Sequence, residues 1–312
     1  MNYKLYNLKL NSNIDFPQLV LHQDDDESNA DVRIIVEDTD ELSIGHEKPE
    51  PGNFGKTEDG IWFKNQAGYF SIEYKAPVSY MTCKKYKDVH ISIIRSFLLG
   101  NALAIMLTQR SKIVLHGSTL VLGDKTIMIC GDSGAGKSTL SMALQVRGAK
   151  MMADDISVID IDKEDGCCYA YSGFPEQKLC RDAAIRQGYD LDTLRYVNED
   201  RDKFSIDSNS IFVEGRRKPD VLFSLHKGNL DQLGAEVVAK EVTGADKVNA
   251  ITDRFFLNVL YGGLLSLSPS DMMKCFKLAG QIKIVDMTRA REANTIDELV
   301  QVVMENTVGD RI

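Results

Sequence analysis

Residues 126–159 read TIMICGDSGAGKSTLSMALQVRGAKMMADDISVI. The apolar run TIMIC leads into Gly131-Asp132-Ser133-Gly134-Ala135-Gly136-Lys137-Ser138, which matches the phosphate-loop pattern G-x-x-x-x-G-K-[ST]. Thr139 follows, and Leu140, Ala143 and Leu144 then share one helical face. Arg147 and Gly148 supply a basic last turn and a C-cap. Strand, loop, helix is the order the pattern requires. The glycines let backbone N–H groups close round phosphate oxygens, and the helix N-terminus adds partial positive charge. Gly131 to Thr139 are therefore the candidate nucleotide cradle, with ATP and Mg²⁺ as the expected ligands. Lys137 is expected to reach the β- and γ-phosphates, and Ser138 to ligate the metal.

Asp154 and Asp155 come back one helix later, at the end of the short run GAKMMADD. At a strand end both can approach one metal–phosphate site, one carboxylate for Mg²⁺ and one to accept a hydroxyl proton. The plainer alternative is a solvated pair. Upstream, KIVLHGSTLVL and TIMICG are β-branched runs around Gly123-Asp124-Lys125 and predict a three-residue hairpin turn. The strand feeding the loop then has an antiparallel neighbour, whereas a chain of βαβ units gives a parallel sheet. His116, fifteen residues before Gly131, lies on that neighbour and reaches the loop end. It is either a satisfied structural histidine or part of the site.

Working outward, residues 1–86 look β-rich. The stretch MNYKLYNLKL alternates, VRIIVED is a short apolar run, and GIWFKNQAGYFSIEYKA predicts a hairpin around NQAG. HQDDDESNAD and HEKPEPGNFGKTEDG read as exposed loops, and the run Asp24-Asp25-Asp26 is either a solvated turn or a cation site. A helix is expected over 89–110, joining this module to residues 87–312, with close packing as the reason for Gly100. DVLFSLHK and QIKIVDMT predict strands. DRFFLNVLYGGLLSL, SDMMKCFKLAG (N-cap Ser268 or Ser270) and TIDELVQVVMEN (starting at Thr295) predict helices.

The formal net charge of −9 makes the chain's overall field a poor fit for nucleic acid or anionic membrane. No apolar run of 18 residues occurs and the N-terminus lacks the apolar segment of a signal peptide, so no membrane partner is expected. Six cysteines without a C-x-x-C pair predict reduced thiols in a cytoplasmic protein. Lys178, Arg181, Lys203, Arg216, Arg217 and Lys218 are either ordinary surface charges or cations that offset transition-state charge. Lys178 and Lys203 are the preferred pair, since Gly-Phe-Pro before Lys178 forms a rigid turn facing the strand ends.

His116-Gly117, then GDSGAGKS, then Arg147-Gly148, then Ala153-Asp154-Asp155 resembles the kinase domain of HPr kinase/phosphorylase over residues 112–160. A broader group of HPr kinase-like proteins is similar over most of the chain, through Phe97-Leu98-Leu99-Gly100 and the segment Gly173-Phe174-Pro175-Glu176-Gln177-Lys178-Leu179. Some of that group act on the terminal serine of lasso-type peptide precursors. The resemblance implies an α/β fold: a P-loop nucleotide-binding domain with a mixed sheet, similar to that of phosphoenolpyruvate carboxykinase, preceded by a small β-rich module. It implies transfer of the γ-phosphate of ATP, with Mg²⁺, to a serine hydroxyl of a peptide or small protein, and a homo-oligomer. It gives the aspartate pair as base and metal carboxylate, with Asp155 the favoured base and Asp154 the favoured metal carboxylate, His116 beside the reacting phosphate, and Lys137 and Ser138 on phosphates and metal. Glu214-Gly215-Arg216-Arg217 holds the family's later glycine-rich signature only in disturbed order. The rival readings are a small-molecule hydroxyl kinase and a non-catalytic ATP-binding regulatory module.

Overall fold

The computed structural model describes residues 1–22, 29–39, 54–56, 58–186, 188–198, 203–230, 236–257, 267–291 and 294–308. The Asp24–Asp26 run lies outside the described residues, as does 258–266 of the helix expected over 253–267.

Among the described residues eight strands precede the first helix: β1 (Asn2–Leu5), β2 (Leu8–Ser12), β3 (Val20–Leu21), β4 (Val32–Thr39), β5 (Phe54–Lys56), β6 (Gly60–Asn65), β7 (Gly68–Lys75) and β8 (Val78–Tyr86). They form one sheet in the order β3-β1-β2-β4-β8-β7-β6-β5, with β4 parallel to both its neighbours. β1 and β2 are joined by the two-residue turn Tyr6-Asn7, both at positive φ (49° and 61°), the twist that suits a tight hairpin. The NQAG hairpin forms as expected from its pattern, between β6 and β7. The stretch 46–60 is not all loop: Phe54–Lys56 pairs with β6, because Phe54 packs against the apolar core.

Helices α1 (Ile91–Phe97) and α2 (Leu103–Gln109) run on through a π-helical turn over Leu98–Ala102. Gly100 sits in that turn, and a Cβ there would meet nothing within 4 Å. Close packing therefore does not explain it. By length and composition the stretch Ile91–Gln109 is apolar enough to cross a membrane, a property that core helices share. In this fold it is a core helix: Ile94, Leu98, Leu103, Ile105 and Met106 are fully buried against Phe70 and Ile72 of the N-terminal sheet.

The second sheet carries the loop. β9 (Ile113–Leu122) and β10 (Lys125–Gly131) form a hairpin whose turn has two residues, Gly123 and Asp124, not three. Gly123 has φ 62° and Asp124 a negative φ, as a type II′ turn requires. β11 (Lys150–Ala153) and β12 (Ile156–Ile161) both pair with β9. Beyond β12 lie β13 (Cys168–Tyr171) and, later in the chain, β17 (Arg216–Arg217). Between these, β14 (Glu176–Cys180), β15 (Arg195–Asn198) and β16 (Lys203–Asp207) make a separate three-stranded sheet. On the other side of β10 come β18 (Val221–Gly228), parallel to it, then β20 (Lys283–Ala290) and β19 (Val237–Val242). The sheet is thus mixed, antiparallel on the β9 side and parallel on the β18 side.

Helices cover both faces. Ile127, Ile129, Phe223 and Leu225 point to α3 (Lys137–Val146) and to the last helix, Ile296–Val308. Met128, Cys130 and Leu222 point to the helices Asp246–Thr252 and Pro269–Ala279. This alternation buries a strand on both sides and explains why TIMIC is apolar throughout. α3 ends as its sequence directs: Gly148 has φ 94° and Ala149 N–H donates to Leu144 O, a Schellman closure. Ser268, not Ser270, caps the Pro269 helix, in a capping box with Asp271. All six cysteines are free thiols.

Candidate active site

The loop between β10 and α3 stands at the carboxyl end of β10. Gly131 has φ 146°, and a Cβ there would lie 2.1 Å from Leu225 O, so only glycine fits beside β18. Gly134 and Gly136 also have positive φ (73° and 109°), which turns the chain tightly into α3. Ala135 is buried, while Asp132, Ser133 and Gly134 are exposed at the mouth and Ser138 and Thr139 are half-buried. The Lys137 ammonium donates to Gly131 O at 2.9 Å and Asp132 O at 3.1 Å, which folds it across the base of the loop. Burial pushes its pKa down, and Lys203 adds to the shift.

Asp154 and Asp155 directly follow the end of β11 and precede β12. They link two strands that both pair with β9: Ala153 lies opposite Thr119 and Ile156 opposite His116, and the register shift falls earlier, between Met151 and Ala153. Ile156 N–H donates to Asp154 O, closing a three-residue turn with Asp155 at its centre and φ 67°. That turn aims both carboxylates away from the ladder.

Asp154 accepts from Ser118 Oγ at 2.8 Å and from Lys178 N–H at 2.9 Å. Burial and the neighbouring Asp155 still raise its pKa. Asp155 has Lys178 Nζ at 3.3 Å on one oxygen and His116 Nδ1 at 3.5 Å on the other. Burial would raise its pKa too, but Lys178, Lys203 and His116 outweigh it and hold the carboxyl well below the usual range. His116, 17% exposed, is pushed down to about 4 by burial, helped by Lys137 and Lys203 and opposed by Asp155. Phe256 packs edge-on against its ring, with centroids 5.4 Å apart.

The fold therefore brings His116, Asp154, Asp155, Lys137, Lys178 and Lys203 together. Lys178 and Lys203 arrive on neighbouring strands of the small sheet, β14 and β16. The other basic candidates lie elsewhere. Arg217 binds Thr126 Oγ1 and Asp124 O at the far end of β10. Arg216 pairs with Asp162 and lies over the Tyr169 ring; Lys218 is beside Cys167 and Asp165. Arg181 lies over the Phe204 ring.

Several site neighbours were not singled out from the sequence. Ser118 lies two residues after His116, so strand alternation places it on the same face. Lys227 and Arg289 stand at the carboxyl ends of the parallel strands β18 and β20, where open α/β sheets take ligands. Arg289 Nε donates to Ala135 O at 2.7 Å, and Lys227 Nζ is 3.8 Å from where a Gly134 Cβ would be. Arg254 and His226 both reach Asp132. Tyr6, at the tip of the first hairpin, donates to Ile156 O at 2.7 Å, and no local signal in MNYKLYN foretells it.

Among the described residues no group of three or more His, Cys, Asp or Glu is placed to hold a metal. A cation here would take the Ser138 hydroxyl, an aspartate oxygen, phosphate oxygens and water. That all-oxygen, partly hydrated set suits Mg²⁺.

No protein-family model matches the sequence, and no curated protein matches it. Among solved structures, the Hpr(Ser) kinase/phosphatase from Coxiella burnetii is similar over 62% of this chain and 94% of that one, at 16% sequence identity and a TM-score of 0.30. The likeness is distant.

Proposed function

We propose that the protein is an ATP- and Mg²⁺-dependent phosphotransferase that moves the γ-phosphoryl group to a hydroxyl, that of a serine in a peptide or small protein. One observation carries this reading: an ionised carboxylate, Asp155, is held beside His116 and Lys178 in the electrostatic reach of the P-loop lysine, Lys137. A purely binding loop has no need of that carboxylate.

Gly131 to Thr139 hold the phosphates, and Lys137 leaves its two loop carbonyls for the β- and γ-oxygens. Ser138 and Asp154 would hold Mg²⁺, which would offset phosphate charge when bound. Asp155 accepts the acceptor hydroxyl's proton as the bond to phosphorus forms, and His116 borders the transferring group. Lys178 and Lys203 balance charge on the equatorial oxygens. Positioning and electrostatics then supply most of the rate, with no covalent enzyme intermediate. The antiparallel strand beside the loop strand supports a fold similar to that of phosphoenolpyruvate carboxykinase. The division into a β-rich module, residues 1–86, and a nucleotide-binding unit, residues 87–312, belongs to the same reading. So does a peptide acceptor, since a sheet close to the site offers an edge to an extended chain.

Incubation with γ-labelled ATP, Mg²⁺ and serine-containing peptides tests the reaction. Label is expected on the peptide, and Lys137→Ala is expected to lower transfer by about 10²-fold or more. Full activity in that variant, or label released only to water, counts against the proposal.

A further inference from the structure

We propose that Arg254 and His226 form a charge clamp on Asp132 that keeps the P-loop able to accept a polyphosphate. This deepens the reading above and rests on its nucleotide-binding part.

Asp132 is the second residue of the loop and puts a carboxylate at the mouth of a cradle built for anions. Its main chain is fixed: its N–H donates to Leu225 O, and its carbonyl accepts from Ala135 N–H and Lys137 Nζ. The carboxylate cannot move far from the cradle, and a fixed negative charge there opposes a phosphate. Two groups meet it. Arg254 NH1 donates to Oδ1 at 2.6 Å, and His226 Nδ1 is 3.2 Å from Oδ2. Arg254 NH2 in turn lies 3.3–3.4 Å from the His226 ring nitrogens. His226 is held from behind by Ser224 Oγ at 3.1 Å, with Asp286 at 3.7 Å.

Arg254 is placed for this contact at some cost. Its side chain is 11% exposed, and its Nε is buried with no hydrogen-bond partner among the described residues. A buried guanidinium with one donor unmet is destabilising by itself. Its position is nevertheless pinned, since His116 N–H donates to Arg254 O at 2.9 Å and Leu115 bridges to Phe255. The segment that carries Arg254 therefore ties the loop's carboxylate to the strand that carries His116. Arg254 and His226 both line a cleft of about 290 Å³ with Asp246, Asn249 and Asp253, beside the loop. The clamp makes Arg254 a positioning residue: it cancels Asp132 and need not touch the ligand.

Charge cancellation has a signature that direct phosphate binding lacks. If Arg254 serves to neutralise Asp132, removing the carboxylate makes the arginine dispensable. The test is titration of the full-length protein with a fluorescent ATP analogue and Mg²⁺ near neutral pH, with thermal melts of every variant. Arg254→Gln is expected to weaken binding about tenfold, equivalent to about 1.4 kcal/mol. The Asp132→Asn, Arg254→Gln double variant is expected to return to within about threefold of wild type, the additivity failure of a coupled pair. Asp132→Asn alone removes the opposing charge and leaves Arg254 uncancelled, so it is expected to bind more tightly than wild type, and weaker binding overturns the clamp. A double variant that folds but binds as weakly as Arg254→Gln overturns the clamp, as does an Arg254→Gln protein that binds normally. Should Arg254→Gln fail to fold, the double variant is compared with Asp132→Asn, and a tenfold gap between them overturns it equally. A wild-type protein that binds no nucleotide overturns the P-loop reading itself, an outcome separate from failed rescue.

Discussion

Asp155 occupies the left-handed region, which a non-glycine residue adopts at a cost of order 1 kcal/mol. It stays there because Gly117 N–H holds its carbonyl and Ile156 N–H closes the turn behind it. The strain aims the carboxylate at His116 and Lys178. The same cluster sets a pH dependence. His116 has an ordinary pKa of 6.5 and is pushed down to about 4 in the fold. The unfolded chain therefore takes up a proton that the folded chain refuses. Stability from this group is complete above pH 6.5 and falls as pH drops towards 4, by on the order of 3 kcal/mol. Asp155, held below the usual carboxylate range, titrates at lower pH than this window. Asp154, raised, works in the opposite direction and offsets part of the loss. Chemical denaturation at pH 7, 5.5 and 4.5 is expected to show a shallower decline for His116→Asn than for wild type. Parallel declines rule out His116 as the titrating group.

At the scale of elements, the first hairpin reaches the site. β13 pairs with β12 only from Val158 onward, so the β12 edge is open at Ile156. The β1–β2 tip fills that gap, with the buried Tyr6 hydroxyl donating to Ile156 O. Burial, then Asp155 and Asp154, raise the Tyr6 pKa, so it remains a donor. Gly173 makes room for the ring: a Cβ there would lie 2.8 Å from Tyr6 Oη. Tyr6→Phe keeps the packing and leaves a carbonyl without its donor. It is expected to cost about 1–2 kcal/mol of stability, measured by urea denaturation against wild type. An unchanged midpoint and slope would mean that water replaces the hydroxyl without loss.

For the whole molecule, one apolar cluster runs from Tyr3 and Phe70 of the first sheet, with Phe16 beside them, through Leu98 and Met106 to Val114 and Ile156 of the second sheet and to Phe256. A chain beginning at residue 87 would expose the faces of α1 and α2, with apolar surface well beyond a normal patch. It is expected to be insoluble or molten when expressed alone, checked by near-ultraviolet circular dichroism and size exclusion. A folded, soluble fragment would show instead that the shared cluster is not needed by the second sheet.

The strand–loop–helix unit, the antiparallel β9, the two hairpins and the C-cap at Gly148 were legible in the chain. Each follows from contacts within a few residues: glycine at positive φ, alternation, a 3.6-residue face. The three-residue turn at Asp154-Asp155, the π-helical turn at Gly100, the clamp on Asp132 and the reach of Tyr6 to Ile156 were not legible. They depend on partners separated by 36 residues for Ser118 and Asp154, 122 for Asp132 and Arg254, and 150 for Tyr6 and Ile156. Local propensity carries no record of such pairs. Which carboxylate is ionised and which is raised is likewise settled only when burial and the positions of three cations are fixed together.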